Sequence, residues 1–544
     1  MNLKRWVVAA GTALGLLAAP AQAAITTVVD SFATFPTYNN IGVKAYYTGD
    51  DDSDAVVIAT IKLNGAATVD TLPPFVRMHW GGTPRKYWAS SALWCGSDST
   101  YTITVTVTDP DGTTNGSSGA LSVTTWAAPN ISVPGKQIWM GPFGSDANSG
   151  LTSAAPKATF AGALAAMTTA GDQLRLLSGT YYAMRTDSLL VPAGTKNGTA
   201  TARYSVVGDA GVIISGADTT GLVGASWGSN DIGGVTAFCK AFSPAIWPRA
   251  VVLDDSLRLY PYNTFYKLKT DPQGVVSQFG AFWVTSDRNS VFIRLPASLG
   301  GVVSGHTVYV ARRASAMRIQ GHAWRVDSLT FRDFGNGYNQ TSTSITEPVI
   351  SVTGKNQLVQ NCTFKNNGRP AIGVRTLSDG TQLTTQWATI QKNRFITNTI
   401  GESWNGPTNN FVGVLRSVSA ACPAADTSCY FLNITYPVLI IEIGRGHVIR
   451  RNDFRGGADG AARWASEAAD TAQGAITDCD FYQNNIINIA SDCIEPDSWS
   501  GVNCRVYWNT ALGGESGLNL SMLRGPMYFV FNTLVNHIRG VLPV

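Results

Sequence analysis

The second half of the chain repeats one short phrase, and that repetition limits the fold more than anything else in the sequence. From His322 onward an apolar residue recurs with a Leu, Cys or Asn two positions before it. The anchors are Phe331, Phe364, Phe395, Phe454, Phe481, Ala511 and Leu534, preceded by Leu329, Cys362, Asn393, Asn452, Cys479, Asn509 and Asn532. Successive anchors lie 33, 31, 59, 27, 30 and 23 residues apart, and the 59 reads as two turns carrying the loop around Cys422 and Cys429. An irregular period of a few tens of residues with Asn and Gly signatures predicts a β-solenoid, whose units bury their apolar faces only by stacking. Asparagines at equivalent turns can hydrogen-bond along the stack. The repeated Asn and Cys residues therefore read as scaffold, not as ligands or nucleophiles.

The rest of the chain fits an exported, all-β protein. It is rich in glycine (55) and only 14% charged, which favours β-structure with many turns. Residues 1–23 read as a signal peptide: Lys4 and Arg5, an apolar run from Trp6 to Ala19, then the small-x-small site Ala21-Gln22-Ala23. That run is short for a membrane span and no other segment approaches one, so no membrane partner is expected after cleavage. Removing Lys4 and Arg5 lowers the formal charge from +4 to +2 (4 − 2), and without a basic run nucleic acid is excluded as a partner. Secretion to the periplasm or medium permits disulfides among the eight cysteines, with Cys422–Cys429 and Cys493–Cys504 as candidate pairs.

Residues 25–128 predict a small β-sandwich. Ala55 to Leu63 and Tyr101 to Asp109 alternate apolar and polar residues, the second run ends in the turn Asp109-Pro110-Asp111-Gly112, and Tyr101 suggests a tyrosine corner. The stretch SALWCGSDSTYTITVTVTDPDG resembles fibronectin type III and immunoglobulin-like modules, which implies a spacer or a glycan-binding unit. From residue 137 the texture changes: a short helix is predicted from Ala158 to Met167, then Gly171-Asp172, an apolar strand and Gly179-Thr180-Tyr181. This opening resembles that of right-handed parallel β-helix proteins of the pectate-lyase-like superfamily, where the helix closes the open apolar end of the coil. The fold expected is thus a right-handed parallel β-helix over residues 137–544, preceded by the sandwich. Residues 220–312 interrupt it as an inserted β-subdomain, with a hairpin around Ser286-Asp287-Arg288-Asn289 and aromatics that read as local core. GPMYFVFNTLVNHIRGVLPV shows no recognisable cap, so truncation or a covering subunit is expected there.

No zinc motif, phosphate loop or nucleophile elbow is present, which leaves carboxylates and arginines on an extended sheet. In SDCIEPD, Ile494 is the natural inward residue, so alternation sends Cys493, Glu495 and Asp497 outward, with Pro496 bending the strand. Outward acids two apart sit roughly 6.6 Å apart at their Cα atoms, which leaves room for either carboxyl separation used in glycoside hydrolysis, about 5.5 Å or about 6.5–9.5 Å. The same acids suit Ca²⁺, an oxygen-seeking cation; the plain alternative is a solvated acidic turn. Stacking with the preceding GRGHVIRRNDFRGGADG would bring Asp459 or Asp453 near Asp492 and Glu495. One of Arg450 and Arg451 is expected to face outward and hold an acidic sugar. A lone histidine such as His447 is more often satisfied structure than catalyst.

The motifs Phe454 to Gly460, Asp492 to Asp497, Asn503 to Thr510 and Gly525 to Asn532 together resemble a group of secreted bacterial β-helix proteins. That superfamily holds polysaccharide lyases, pectin hydrolases, alginate epimerases and non-catalytic surface proteins. The chain lacks the Asp-Pro-His-Asp of mannuronan epimerases and the Asp-Asp with Gly-His-Gly of polygalacturonases, and its scarce lysines disfavour a Lys-base lyase. The expected partner is a polysaccharide, cleaved by Asp492, Glu495 and Asp459 and held by Arg445, His447, Arg505 and Asp497. No cofactor beyond Ca²⁺ is implied. A non-catalytic glycan-binding or adhesion protein is the other reading.

Overall fold

A computed structural model describes residues 26–544 except 79–85, 184–186, 247, 263, 273, 336–347, 369, 375–386, 397–439, 443, 458–459, 464–476, 490–491, 495–500, 521–524 and 543–544. The leader, Asp459, Glu495, Asp497, Cys422 and Cys429 thus lie outside the described residues.

The chain is all-β and its larger part is a parallel β-helix. The first sheet stacks ten parallel strands from Gln137–Met140 to Met527–Val530. Its inward residues run in register as Leu174, Val206, Val326, Val359, Ile390, Ile449, Phe481, Val506 and Phe529. The second sheet runs from Gly179–Tyr182 to Thr533–Leu542, with Tyr181, Ile214, Phe331, Phe364, Phe395, Phe454, Ile486, Ala511 and Leu534 stacked inward. A third, six-stranded sheet runs from Leu189–Val191 to Ala462–Arg463. Phe331, Phe364, Phe395 and Phe454 stack nearly parallel, with centroids 5.1, 5.2 and 4.7 Å apart. Offset stacking of this kind adds to the burial of the rings.

Two details of the repeat differ from the sequence expectation. Phe481 belongs to the first sheet and pairs with Ile449; the second-sheet partner of Phe454 is Ile486. Each coil offers an inward apolar residue to both sheets, so a two-residue phrase does not say which sheet it serves. The 59-residue interval is one coil, because Asn393 bonds directly to Asn452 and Phe395 pairs with Phe454. The extra length falls in sequence between the second-sheet strand Arg394–Ile396 and the third-sheet strand Ile440–Glu442.

With that register the asparagine ladder is continuous. Nδ2 of Asn393, Asn452, Asn484 and Asn509 each donates to Oδ1 of the next asparagine, ending at Asn532, at 2.9–3.1 Å. The same oxygens, and Asn393 Oδ1 before them, accept the backbone N–H of Cys362, Asn393, Asn452, Asn484 and Asn509 from the coil before. The residue preceding each rung turns the chain from the first sheet to the second in left-handed backbone: Ser328, Asn361, Lys392, Arg451, Gln483, Trp508 and Phe531 all have φ of 53–58°. All seven are exposed.

The open N-terminal end is closed by a helix, Phe160–Ala166, with Phe160, Ala163 and Met167 buried in the coil's core. Thr159 caps it, its Oγ1 accepting from Gly162 N at 3.0 Å. Between the second and third sheets an insert forms a five-stranded and a three-stranded sheet around its own buried residues, including Trp227, Tyr260 and Tyr262. Ala281–Val284 and Ser290–Arg294 form the expected hairpin. Asp255 of the insert pairs with Arg332 (2.9 Å) and Lys365 (3.0 Å) on the second sheet, so the insert lies over the early coils.

Thr27–Thr124 forms a sandwich of a five-stranded and a four-stranded sheet, with Tyr47 stacked on Trp88 at 3.7 Å in its core. The Tyr101 hydroxyl accepts from Gly96 N at 2.7 Å, the upstream backbone contact expected of it. Cys493 and Cys504 are buried thiols whose Sγ atoms donate to the Gly513 and Val502 carbonyls, which overturns their proposed disulfide. Cys493 is also not outward: it is buried with Ile494 in the coil's core.

Candidate functional site

The sandwich occupies the outer face of the first sheet. Alternation sets two columns outward there: Thr389, Val448, Asp480 and Arg505, and Gln360, Gln391, Arg450, Tyr482 and Tyr507. Every one of these residues is buried. Tyr38 bonds Thr389 (3.1 Å) and lies 3.7 Å from the Arg450 guanidinium carbon, while Asn40 reaches Asp480 (3.0 Å) and Tyr507 (2.9 Å). Lys44 forms a buried ion pair with Asp478 at 2.8 Å. Burial drives the Lys44 ammonium below its ordinary range, against the pull of Asp478. Burial likewise pushes the Tyr482 phenol up to about 12. Gly42 rests so closely on the coil that a Cβ there would collide with Asp478 and Asn503.

This docking corrects three expected substrate contacts. Arg505 is wholly buried, its Nε 2.5 Å from Asp480 and its Nη1 3.2 Å from Ser91 of the sandwich. Burial alone would lower its guanidinium, and the Asp480 carboxylate more than reverses this. Arg445 is half-buried over the Phe35 ring at 4.7 Å. His447 is wholly buried, its Nδ1 accepting from Ala388 N at 3.2 Å and its own N–H donating to Cys479 Sγ. Arg505 and His447 are thereby closed to a substrate, and the sandwich covers part of Arg445. Of Arg450 and Arg451, the first lies under the sandwich and the second is exposed. A signal for this was present in the sequence: arginine and tyrosine one step from the inward residues on successive coils are typical of a covered interface.

The expected acids divide. Asp453 does not join Asp492: it pairs in register with Asn485, seven residues before Asp492 (492 − 485). Its carboxylate is instead held by Arg455 (2.7 Å), Arg394 (3.5 Å) and Asn485 (3.0 Å) on the open part of the second sheet. The described backbone flanking the other acids, at Ala461 and at Cys493, does come together. Ala461 N donates to Cys493 O at 3.3 Å, so the chain just after Asp459 stacks on the strand that Asp492 begins. On the next coil Asp492 pairs with Ser516 and Ile494 with Leu518. Asp459, Glu495 and Asp497 themselves lie outside the described residues.

Elsewhere, carboxylates of Asp50, Asp54 and Asp109, and of Asp52, Asp54 and Asp111, approach within 4.8 Å of one another at one end of the sandwich. Such all-oxygen sets have the chemistry of a hard cation's ligands. Partial desolvation by its neighbours, and then the charge of Asp52, raises the exposed Asp54 carboxyl above its ordinary range. A cavity of about 740 Å³ beside the capping helix is lined by Lys196, Arg313, Arg318 and Asp187, with Arg313 and Asp187 3.6 Å apart.

The fold and these contacts define a parallel β-helix protein with a β-sandwich fastened along one face. No protein-family model matches the chain, and no curated protein matches it. Among solved structures it is similar to a chain described as a glycoside hydrolase, at 11% identity and a TM-score of 0.42, covering 74% of this chain and 97% of that one. It is also similar to the Yersinia enterocolitica family 28 exopolygalacturonase, at 11% identity and a TM-score of 0.27, covering 95% and 100%. Likenesses this distant carry no activity across.

Proposed function

We propose that this is a secreted, polysaccharide-active β-helix protein that cleaves a glycan at the corner where the chain at Ala461 meets the strand Asp492–Ile494. The observation that supports this is the hydrogen bond from Ala461 N to Cys493 O, which sets the chain two residues after Asp459 beside the strand that Asp492 begins. Strands stacked in this way are about 4.8 Å apart, close enough for side chains on both to reach one glycosidic bond. Asp492, Glu495 and Asp459 are the proposed acid and base, with Asp497 beside them. One protonated carboxyl would donate to the leaving oxygen, and an ionised one would act as nucleophile or activate water. The same oxygens suit Ca²⁺ in a lyase that neutralises a uronate carboxylate. The corner is separate from the first-sheet face that the sandwich covers.

Digestion of a glycan panel by the full chain, with and without chelator, tests the proposal. Ultraviolet-absorbing unsaturated ends would identify a lyase and new reducing ends without them a hydrolase. Glu495→Gln and Asp492→Asn should each abolish turnover on a responsive glycan. Unchanged turnover in Glu495→Gln would remove this site, and binding without cleavage by the native protein would leave the non-catalytic reading.

A further inference from the structure

We propose that Trp94, Trp508 and Phe531 form an aromatic platform on which a polysaccharide chain lies, along the edge where the coil turns from its first to its second sheet. The proposal rests on the polysaccharide reading above and adds a binding site distinct from the acidic corner.

The turn at this edge demands left-handed backbone, and upstream it is filled by Ser328, Asn361, Lys392, Arg451 and Gln483. Left-handed φ is unfavourable for a bulky side chain, and such residues mark positions held for another purpose. Yet the last two turns carry Trp508 (φ 53°) and Phe531 (φ 54°), and the sandwich contributes Trp94, itself left-handed at φ 64°. The three rings meet. Trp94 stacks on Trp508 with centroids 4.7 Å apart and planes at 25°, and lies 5.9 Å from Phe531 at 31°.

Trp94 also meets Tyr507 edge-on at 5.0 Å and so helps fasten the sandwich to the coil, but fastening does not account for the exposure of all three rings. Tyr482 and Tyr507, which do that work on the neighbouring column, are 2% and 1% exposed. Trp94, Trp508 and Phe531 are 40%, 46% and 69% exposed, a joined apolar surface left facing solvent. Next along the same edge stand Gln483 and Arg451, exposed and linked Oε1 to Nε at 3.0 Å. A pyranose ring has a flat face of C–H groups that stacks on an aromatic ring and a rim of hydroxyls that needs donors and acceptors. Rings followed by an amide and a guanidinium, one per coil at about 4.8 Å, offer both in a line. The ligand is therefore a polysaccharide with an unsubstituted pyranose face.

Affinity gel electrophoresis of the full chain through hydroxyethyl cellulose, galactomannan and polygalacturonate tests this. At least one polymer should retard the native protein, and Trp508→Ala and Phe531→Ala should each weaken that retardation about tenfold with the thermal midpoint unchanged. Native-like retardation of both variants overturns the platform, as does loss that follows a lowered midpoint, or a change in self-association by sedimentation in place of a change in binding. No retardation of the native chain by any polymer overturns it too. Retardation that depends on Trp508 while nothing is cleaved supports the platform and removes only the cleavage reading. Cleavage that Glu495→Gln abolishes, with retardation indifferent to Trp508 and Phe531, does the reverse.

Discussion

Arg505 Nε and Asp480 Oδ1 lie 2.5 Å apart with neither side chain exposed, and through them two coils and the sandwich share one polar junction. Asp480 Oδ2 accepts from Thr37 (2.5 Å) and Asn40 (3.0 Å), while Arg505 also donates to Ser91 Oγ and to the Asp478 carbonyl. Each partner's remaining bonding capacity is spent on a different element, so the pair ties the two parts together.

Removing one member of a buried pair strands the other charge, so Arg505→Leu should destabilise the chain by about 3–5 kcal/mol. Urea unfolding of the full chain measures this, and limited proteolysis should release the sandwich sooner. Adding Asp480→Asn to Arg505→Leu should recover part of the loss, because a neutral amide costs less to bury than an unpaired carboxylate. A double variant no more stable than the single one would show that the charge is not the source of the effect.

The asparagine ladder gives a second expectation. Asn452 accepts from Asn393 at both N and Nδ2 and donates to Asn484 Oδ1 and to the Ile390 carbonyl, all within the buried coil. Asn452→Ala leaves several of those groups without partners and should cost about 2–4 kcal/mol. Asn532 is half-exposed and has solvent to replace its bonds, and Asn532→Ala should cost about 1 kcal/mol or less. The two variants compared by urea midpoint separate a buried rung from a half-exposed one.

The fold was legible because stacking demands repetition, and repetition is visible in a single chain. The Phe331 to Phe454 column, the Asn rungs and the capping helix at Phe160 all come from one local rule applied many times. What failed were choices between equivalent surfaces. Phe481 follows the same rule as Ile486 but serves the other sheet, and only long-range register separates them. Arg505 and Arg445 look free in sequence, because the residues that cover them, Ser91 and Phe35, lie more than four hundred positions upstream. The acids at 492–497 stood out for a local reason, a proline and three carboxylates that a coil does not need. The left-handed aromatics stood out only once the backbone was known, since nothing in the letters of Trp508 or Phe531 marks their φ.

A third expectation concerns pH. His322 Nδ1 accepts the backbone N–H of Lys355 on the next coil at 3.0 Å, a bond that only the unprotonated nitrogen can make. Burial first, and then the Lys355 charge, holds its pKa below the ordinary value of 6.5. The sign follows from which state takes the proton first. As pH falls through 6.5 the unfolded chain protonates while the folded one resists, so the unfolded state gains. The contribution is therefore fully present above the unfolded value and is lost as pH drops toward the folded one. Urea midpoints measured between about pH 7.5 and 5.5 should fall with pH. His322→Gln, whose side-chain oxygen can accept the same N–H without titrating, should flatten that part of the profile. The difference between the two profiles isolates His322 from every other titrating group, and two superimposable profiles would show that its bond to Lys355 N adds nothing to the coil's stability.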